Sequence, residues 1–268
     1  MKRSSIELEN PEITKLGVSA IIDFYQTISS HQLNLPGLHA FSTGIDSASL
    51  NVVLDVAQNH ELGSEKISQE VSAISNFFQK QQVPWGWFVT AIAADRKIEN
   101  FGFNLTYESA GMYLDLSNLL PEIESNEEKN IIIKEEFGNL QNWIKPIAEA
   151  FPSTDGGESY RKLNADLLDN SLSGGETKLR HFTAYHQNKP AASATLFLSN
   201  KGVMLHNIAT KHNFRKLGLA SSLTRHLLST AKKSGHQHCF LDSSNAAVNL
   251  YRRLGFKIYC VTREYEKS

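Results

Sequence analysis

The sequence predicts an α+β fold of two consecutive units, each a mixed, mostly antiparallel sheet flanked by helices. Three observations predict it. The second half reads as two hairpins leading into a strand, helix, strand, helix, strand series, which is not the regular alternation of a doubly wound sheet. The first half repeats that layout faintly. Between them lies an acidic, polar stretch, residues 121–130, with little to bury. The expected units are therefore residues 1–127 and 128–268.

In the first half, residues 13–28 carry Ile13, Leu16, Val18, Ile21, Ile22 and Phe24 at mostly helical spacing. Residues 39–43 and the apolar run 50–56 read as strands. Residues 67–78 return to the helical period through Ile67, Val71, Ile74, Phe77 and Phe78, closed by Val83-Pro84. A tryptophan-rich strand is expected over 85–92, a short helix over 93–100 and a last strand over 111–116.

In the second half, Ile131-Ile132-Ile133 reads as a strand, residues 140–150 and 160–168 as helices, and 170–176 as a Gly/Ser/Asn loop. Strands over 179–186 and 191–198 are separated by Gln187-Asn188-Lys189-Pro190. A second turn, Ser199-Asn200-Lys201-Gly202, leads to the strand 203–209. A helix over 218–233 follows, with Lys232 and Lys233 at the negative end of its dipole and Gly235 as a left-handed closing residue. Strand 239–241, helix 244–254 and strand 256–262 complete the chain.

Composition bounds the function. The 268 residues are 41% hydrophobic and 21% charged, which suits a packed core and excludes a disordered chain. A formal net charge of -1 gives no global field for nucleic acid or an anionic membrane. Cys239 and Cys260 fall in expected strands with no metal-ligand spacing and are expected as reduced core residues. No apolar run follows Met1-Lys2-Arg3, and no stretch reaches the ~18 apolar residues of a spanning helix, so a soluble, cytoplasmic protein is expected. The histidines His181, His186, His206, His212, His226, His236 and His238 are scattered, and no metal is expected.

The strongest local constellation runs from Ile208, Ala209 and Thr210 through Lys211, His212, Asn213 and Phe214 to Arg215, Lys216, Leu217, Gly218, Leu219 and Ala220. A strand ends, a basic turn follows and a helix opens on small residues. The free N–H groups of a first helical turn, backed by the helix dipole, make a place for an anion, and Gly218 and Ala220 let it approach closely. The same pattern also fits a glycine that only permits tight packing. It is neither a P-loop nor a dinucleotide fingerprint.

Arg215-x-x-Gly218-x-Ala220 resembles the Arg/Gln-x-x-Gly-x-Gly/Ala motif of the GNAT (N-acetyltransferase) superfamily. Ala247-x-x-Leu250-Tyr251-x-x-Leu254-Gly255-Phe256 resembles that family's Asn-x-x-Ala-x-x-Leu-Tyr-x-x-x-Gly-Phe segment, with Ser244 in the usual Asn slot and Asn245 one place later. The resemblance implies acetyl-CoA as acyl donor. It would be held by Ile208, Ala209 and Thr210 at the strand end, by Arg215, Lys216, Leu217, Gly218, Leu219, Ala220 and Ser221 at the helix start, and by Ser244, Asn245 and Tyr251 downstream.

It also implies an amine acceptor, either a small molecule or a peptide amine, with oligomeric state left open. Tyr251 is the expected proton donor to the leaving sulfur. His206, on the strand before the loop, is the expected base, since an imidazole near its ordinary pKa of ~6.5 accepts a proton at neutral pH. A hydrogen-bonded strand histidine is the other reading of His206, and packing beside Phe256 is the other reading of Tyr251.

The first half resembles the degenerate unit of bacterial acetyltransferases that carry two such units in tandem. Its stretch 58–66 lacks the Arg-x-x-Gly-x-Ala spacing and places Glu61 and Glu65 where phosphates would sit, so no CoA is expected there. Asn51, Trp85 and Trp87 are expected to line the acceptor cleft, against the alternatives of a turn residue and core-filling indoles. A catalytically inactive acyl-CoA sensor or assembly module is the competing function, kept open by Ser244 in the Asn slot and by the lack of a Glu in the strand before the loop.

Overall fold

The computed structural model describes residues 10–56, 63–90, 97–119, 130–138, 140–151, 159, 162–163 and 178–267. Two compact units are present. The first takes the chain up to Met112, Asp242–Val248 and the chain from Ile258 on; the second takes Tyr113–Leu241 and Asn249–Lys257.

The first unit opens on helix α1 (Pro11–Ile28). Asn10 caps it by accepting from the backbone N–H groups of Glu12 at 2.9 Å and Ile13 at 3.4 Å, and Pro11 sits in the first turn, where no N–H is missed. Strands β1 (His31–Leu35) and β2 (Leu38–Ser42) form an antiparallel hairpin around Pro36-Gly37. Strand β3 (Asn51–Asp55) pairs antiparallel with β2, helix α2 (Ser64–Gln81) crosses over, and β4 (Gly86–Val89) returns parallel to β3. Strand β5 (Phe103–Asp115) follows and belongs to this unit through Met112. Ile74 and Phe78 of α2 pack against Trp87 and Phe103 as the centre of its core.

The second unit consists of strand β6 (Ile131–Glu136), helix α3 (Gln141–Ala150), and strands β7 (Leu179–His186), β8 (Lys189–Ser199) and β9 (Gly202–Thr210). Helix α4 (Leu219–Lys233), strand β10 (His238–Ser243) and the short helix α5 (Val248–Arg253) follow. Its strand order is β10-β9-β8-β7-β6, antiparallel except for the parallel β9–β10 pair. Gln187 and Asn188 both take left-handed φ, 50° and 61°, as a two-residue hairpin turn demands. Leu219, Leu223, Leu227, Leu228 and Ala231 make the buried face of α4, and Gly235 at φ 84° closes it.

The last strand, β11 (Lys257–Lys267), lies in the first unit, antiparallel to β4 from Arg263 opposite Val89 to Glu266 opposite Gly86. The first unit's strand order is therefore β1-β2-β3-β4-β11-β5.

Several expectations shift. Strand β1 was not expected; β4 is shorter than 85–92, so Trp85 precedes it; β5 is far longer than 111–116; and α5 starts at Val248 rather than Ser244. The expected helix over 93–100 appears only as a 3-10 turn, Ile98–Phe101, with its earlier part outside the described residues. The boundary at 121–130 apart from Asn130, the helix over 160–168 apart from its residues 162–163, the loop over 170–176, and most of 58–66 also lie outside them. No helix among the described residues is long and apolar enough to cross a membrane. Cys239 and Cys260 are free and buried.

Candidate functional site

Two irregularities of β9 shape the site. It pairs with β10 only at Val203–Cys239 and Met204–Phe240, so its remaining length up to Thr210 has no β10 partner among the described residues. Parallel strands that part after two pairs leave an edge of backbone donors and acceptors open to an extended ligand. The second irregularity is on the side facing β8. Thr195 pairs with His206 and Ser193 with Ala209, so Asn207 and Ile208 together face the single residue Ala194. This is a β-bulge, and Asn207 absorbs it at φ 55°, a left-handed conformation that asparagine tolerates better than most residues.

Beyond Thr210 the chain makes a 3-10 turn, His212–Phe214, then passes left-handed at Lys216 (φ 65°) and Gly218 (φ 83°) before α4 begins. The Ser222 N–H donates to the Gly218 carbonyl at 3.0 Å, and no side chain caps the helix. The N–H groups of Leu219, Ala220 and Ser221 are thus the first three of α4, with the positive end of its dipole behind them. Arg215 and Lys216 are exposed, and the Arg215 Nε reaches the Thr210 carbonyl at 3.5 Å. Lys211 is drawn instead to Glu149 of α3, 3.9 Å away, and Glu149 also accepts from the His212 N–H at 3.0 Å. The residues present fit an anionic, extended ligand: an uncapped helix start and two exposed cations for the charge, and an open strand edge for an amide-bearing arm.

Tyr251 is 6% exposed on α5, its ring edge-on to Phe256 at 5.8 Å. Its carbonyl accepts from the Leu254 and Phe256 N–H groups, both at 3.0 Å, which ties the end of α5 to the start of β11. The hydroxyl makes no hydrogen bond among the described residues, and burial pushes the phenol further above its ordinary value, so it stays protonated at any working pH.

His206 does not keep the near-neutral pKa expected of it. Burial pushes the imidazole down to about 4, which makes it a weaker proton acceptor than the sequence implied. The β9 loop and Tyr251 share the second unit, whereas Ser244 and Asn245 belong to the first.

The cleft-lining expectation is corrected for Asn51 and Trp87. Asn51 is fully buried. Its Nδ2 donates to the carbonyls of Ile45 and Ser47, both at 2.8 Å, and of Pro84 at 3.0 Å, while its Oδ1 accepts from the Thr43 N–H at 3.0 Å. That is a hub fixing three loop segments, with no surface left for an acceptor. Trp87 is also fully buried, 5.5 Å from Phe103, and Trp85 stacks on Phe78 at 4.7 Å. Trp87 thus fills the first unit's core, and Trp85 is partly buried against it.

Sequence reasoning missed two carboxylates. Asp242 accepts from the Thr262 hydroxyl at 3.2 Å, and the protein around its carboxyl pushes it up to about 6. Glu264 is pushed up to about 7 by burial and by the neighbouring charges of Asp242 and Glu266. They sit on different strands, far apart in the chain, so no local signal announces them.

Residues 140–256 match the model of the acetyltransferase (GNAT) family. No curated protein matches the chain by sequence. Among solved structures, a GCN5-related N-acetyltransferase from Kribbella flavida is similar over 95% of each chain, with 14% identity and a TM-score of 0.67. One from Sphaerobacter thermophilus covers 86% of this chain and 76% of its own, at 16% identity and a TM-score of 0.60. A tandem GNAT protein from the clavulanic acid biosynthesis pathway covers 95% of this chain and 93% of its own, at 10% identity and a TM-score of 0.56. At such identities the likeness is one of fold. Residues 140–256 thus match the acetyltransferase (GNAT) family model, and over nearly its whole length the chain has the fold of GCN5-related N-acetyltransferases, tandem ones included.

Proposed function

We propose that this chain transfers an acetyl group from acetyl-CoA to a small-molecule or peptide amine, binding the donor in its second unit alone. The observation that carries the reading is the parting of β9 from β10 beside the glycine-started, uncapped helix α4. Acetyl-CoA supplies the activated acyl group and an anionic pyrophosphate. The N–H groups of Leu219, Ala220 and Ser221, with Arg215 and Lys216, take the pyrophosphate charge. The open edge of β9 hydrogen-bonds the pantetheine amides as a further strand would. At the bulge, the backbone N–H groups of Asn207 and Ile208, the two residues that face the single Ala194, receive the thioester oxygen and stabilise the charge that gathers there during attack. Tyr251 gives its proton to the departing sulfur, so CoA leaves as the thiol, and the proton lost by the attacking nitrogen as the C–S bond breaks restores the phenol.

Residues 1–127 act as a degenerate, supporting unit in this reading. An inactive acyl-CoA sensor is the second reading, favoured by the weakly basic His206. One experiment separates them: thiol release from acetyl-CoA, measured against a broad panel of amines. Release stimulated by one class of amine supports the transferase, and tight binding with no stimulation across the panel supports the sensor.

A further inference from the structure

The three β8 residues across from the β9 bulge are Ser193, Ala194 and Thr195; the first two hydrogen-bond Trp143 of α3, which is fully buried, and the third meets His181 beside it. The Trp143 Nε1–H donates to the Ala194 carbonyl at 3.1 Å, and Ala194 is the residue that the two bulge residues face. The Ser193 hydroxyl donates to the Trp143 carbonyl at 2.6 Å. Thr195 Oγ1 lies 3.0 Å from His181 Nδ1, and the His181 ring sits 4.3 Å from the indole. On the bulged strand itself, Ala209 packs into the same small core as Trp143.

This arrangement suits a bulge better than a regular ladder. Without the extra residue, His206 and Ile208 would share a face, and Ala209 would turn away from α3; with it, Ala209 stands opposite Ser193, whose hydroxyl bonds the Trp143 carbonyl. Trp143 thus bonds β8 and shares a small core with Ala209 of β9 at the place where their register slips.

We propose that Trp143 is a positioning residue for acyl transfer: by bonding the Ala194 carbonyl and packing on Ala209, it fixes the β9 bulge so that the backbone N–H groups there point at the thioester oxygen. The inference rests on the acetyl-CoA reading above. It deepens that reading by assigning the alignment of the oxygen-binding groups to a side chain that itself touches no substrate. Groups that stabilise developing charge act only when their direction is fixed beforehand, and misplacement by about 1 Å costs up to ~10²-fold.

The test uses the full chain with acetyl-CoA labelled with 13C at the carbonyl carbon. Infrared difference spectra report the hydrogen bonding of the bound thioester oxygen, calorimetry reports affinity for acetyl-CoA and for CoA, and steady-state kinetics separate kcat from KM. Trp143→Phe keeps an aromatic ring and removes the Nε1–H; Ser193→Ala removes the bond that seats the Trp143 carbonyl and serves if the first variant does not fold. In the wild type the bound carbonyl stretch is expected to lie below that of free acetyl-CoA. In either variant most of that lowering should vanish and kcat should fall about tenfold or more, with CoA affinity and KM for acetyl-CoA within about twofold.

A variant that keeps the wild-type carbonyl frequency and kcat overturns the proposal. So does a parallel loss of CoA affinity, which would make Trp143 a general packing residue, and so does a wild-type carbonyl with no shift despite tight binding. Failure of the wild type to bind either ligand overturns the acetyl-CoA reading itself, and with it the role of Trp143.

Discussion

Replacing Tyr251 by phenylalanine separates chemistry from packing, because the structure gives the ring and the hydroxyl different surroundings. The ring is 6% exposed and meets Phe256 edge-on at 5.8 Å, contacts that phenylalanine keeps. The hydroxyl makes no hydrogen bond among the described residues, so its removal forfeits none of the roughly 1 kcal/mol of an average one. The melting temperature should therefore move by less than about 3 °C, the shift that ~1 kcal/mol produces in a chain of this size.

Catalysis should suffer far more. Burial keeps the phenol protonated throughout the working pH range, so each turnover loses a loaded donor, worth about 10²-fold or ~2.7 kcal/mol of barrier. Single-turnover acyl transfer to the amine found in the panel gives the rate, calorimetry with acetyl-CoA gives the affinity, and a thermal melt gives the stability. Turnover within about threefold of wild type, with chemistry shown to be rate-limiting, would refute the assignment. Equal losses of binding and melting temperature would show Tyr251 to be structural.

Gly17→Ala in α1 should destabilise by about 1–3 kcal/mol, although alanine is ordinarily the better helix former, because the new Cβ would lie 2.5 Å from the Tyr259 hydroxyl; urea denaturation reads the sign. Gly218→Ala should weaken CoA binding about 5- to 30-fold in calorimetry, since φ 83° costs an L-residue ~1–2 kcal/mol and relaxing it turns the first N–H groups of α4. The carboxyls of Asp242 and Glu264 have folded pKa values raised to about 6 and about 7, so the stability they contribute is fully present below the unfolded value of ~4 and is lost as pH rises from there through 6 and 7. Asp242→Asn should accordingly raise the melting temperature relative to wild type at pH 8 and make much less difference at pH 4; an equal effect at both would remove the charge explanation.

The helix start at Gly218 was legible in the sequence because everything it needs is local: a strand end, a basic turn and small residues in consecutive positions. The Gln187-Asn188 turn was legible for the same reason, two residues that tolerate left-handed φ between two alternating runs. What escaped depends on partners distant in sequence. Nothing in residues 203–210 marks a bulge, since the extra residue is defined only by its register against β8, and Asn207 is a faint sign at most. Trp143 reads as one more apolar residue of α3 until Ala194 and Ser193 are seen opposite it. Asn51 and Trp87 misled because polar and aromatic residues beside an expected cleft look alike whether they face solvent, a core or a loop's carbonyls. Strand β11 was found, but its pairing with β4, far earlier in the chain, carries no local signature.

If the proposed function is right, acetyl-CoA binds the second unit, at the start of α4, and nowhere else in the chain. Isothermal titration of acetyl-CoA into the wild type and into Gly218→Asp tests this directly. Aspartate would place a side chain and a like charge against the pyrophosphate at a position already strained for L-residues. One site per chain in the wild type and none in a folded Gly218→Asp is the predicted result; a second site, no binding by the wild type, or undiminished binding by the variant would contradict it.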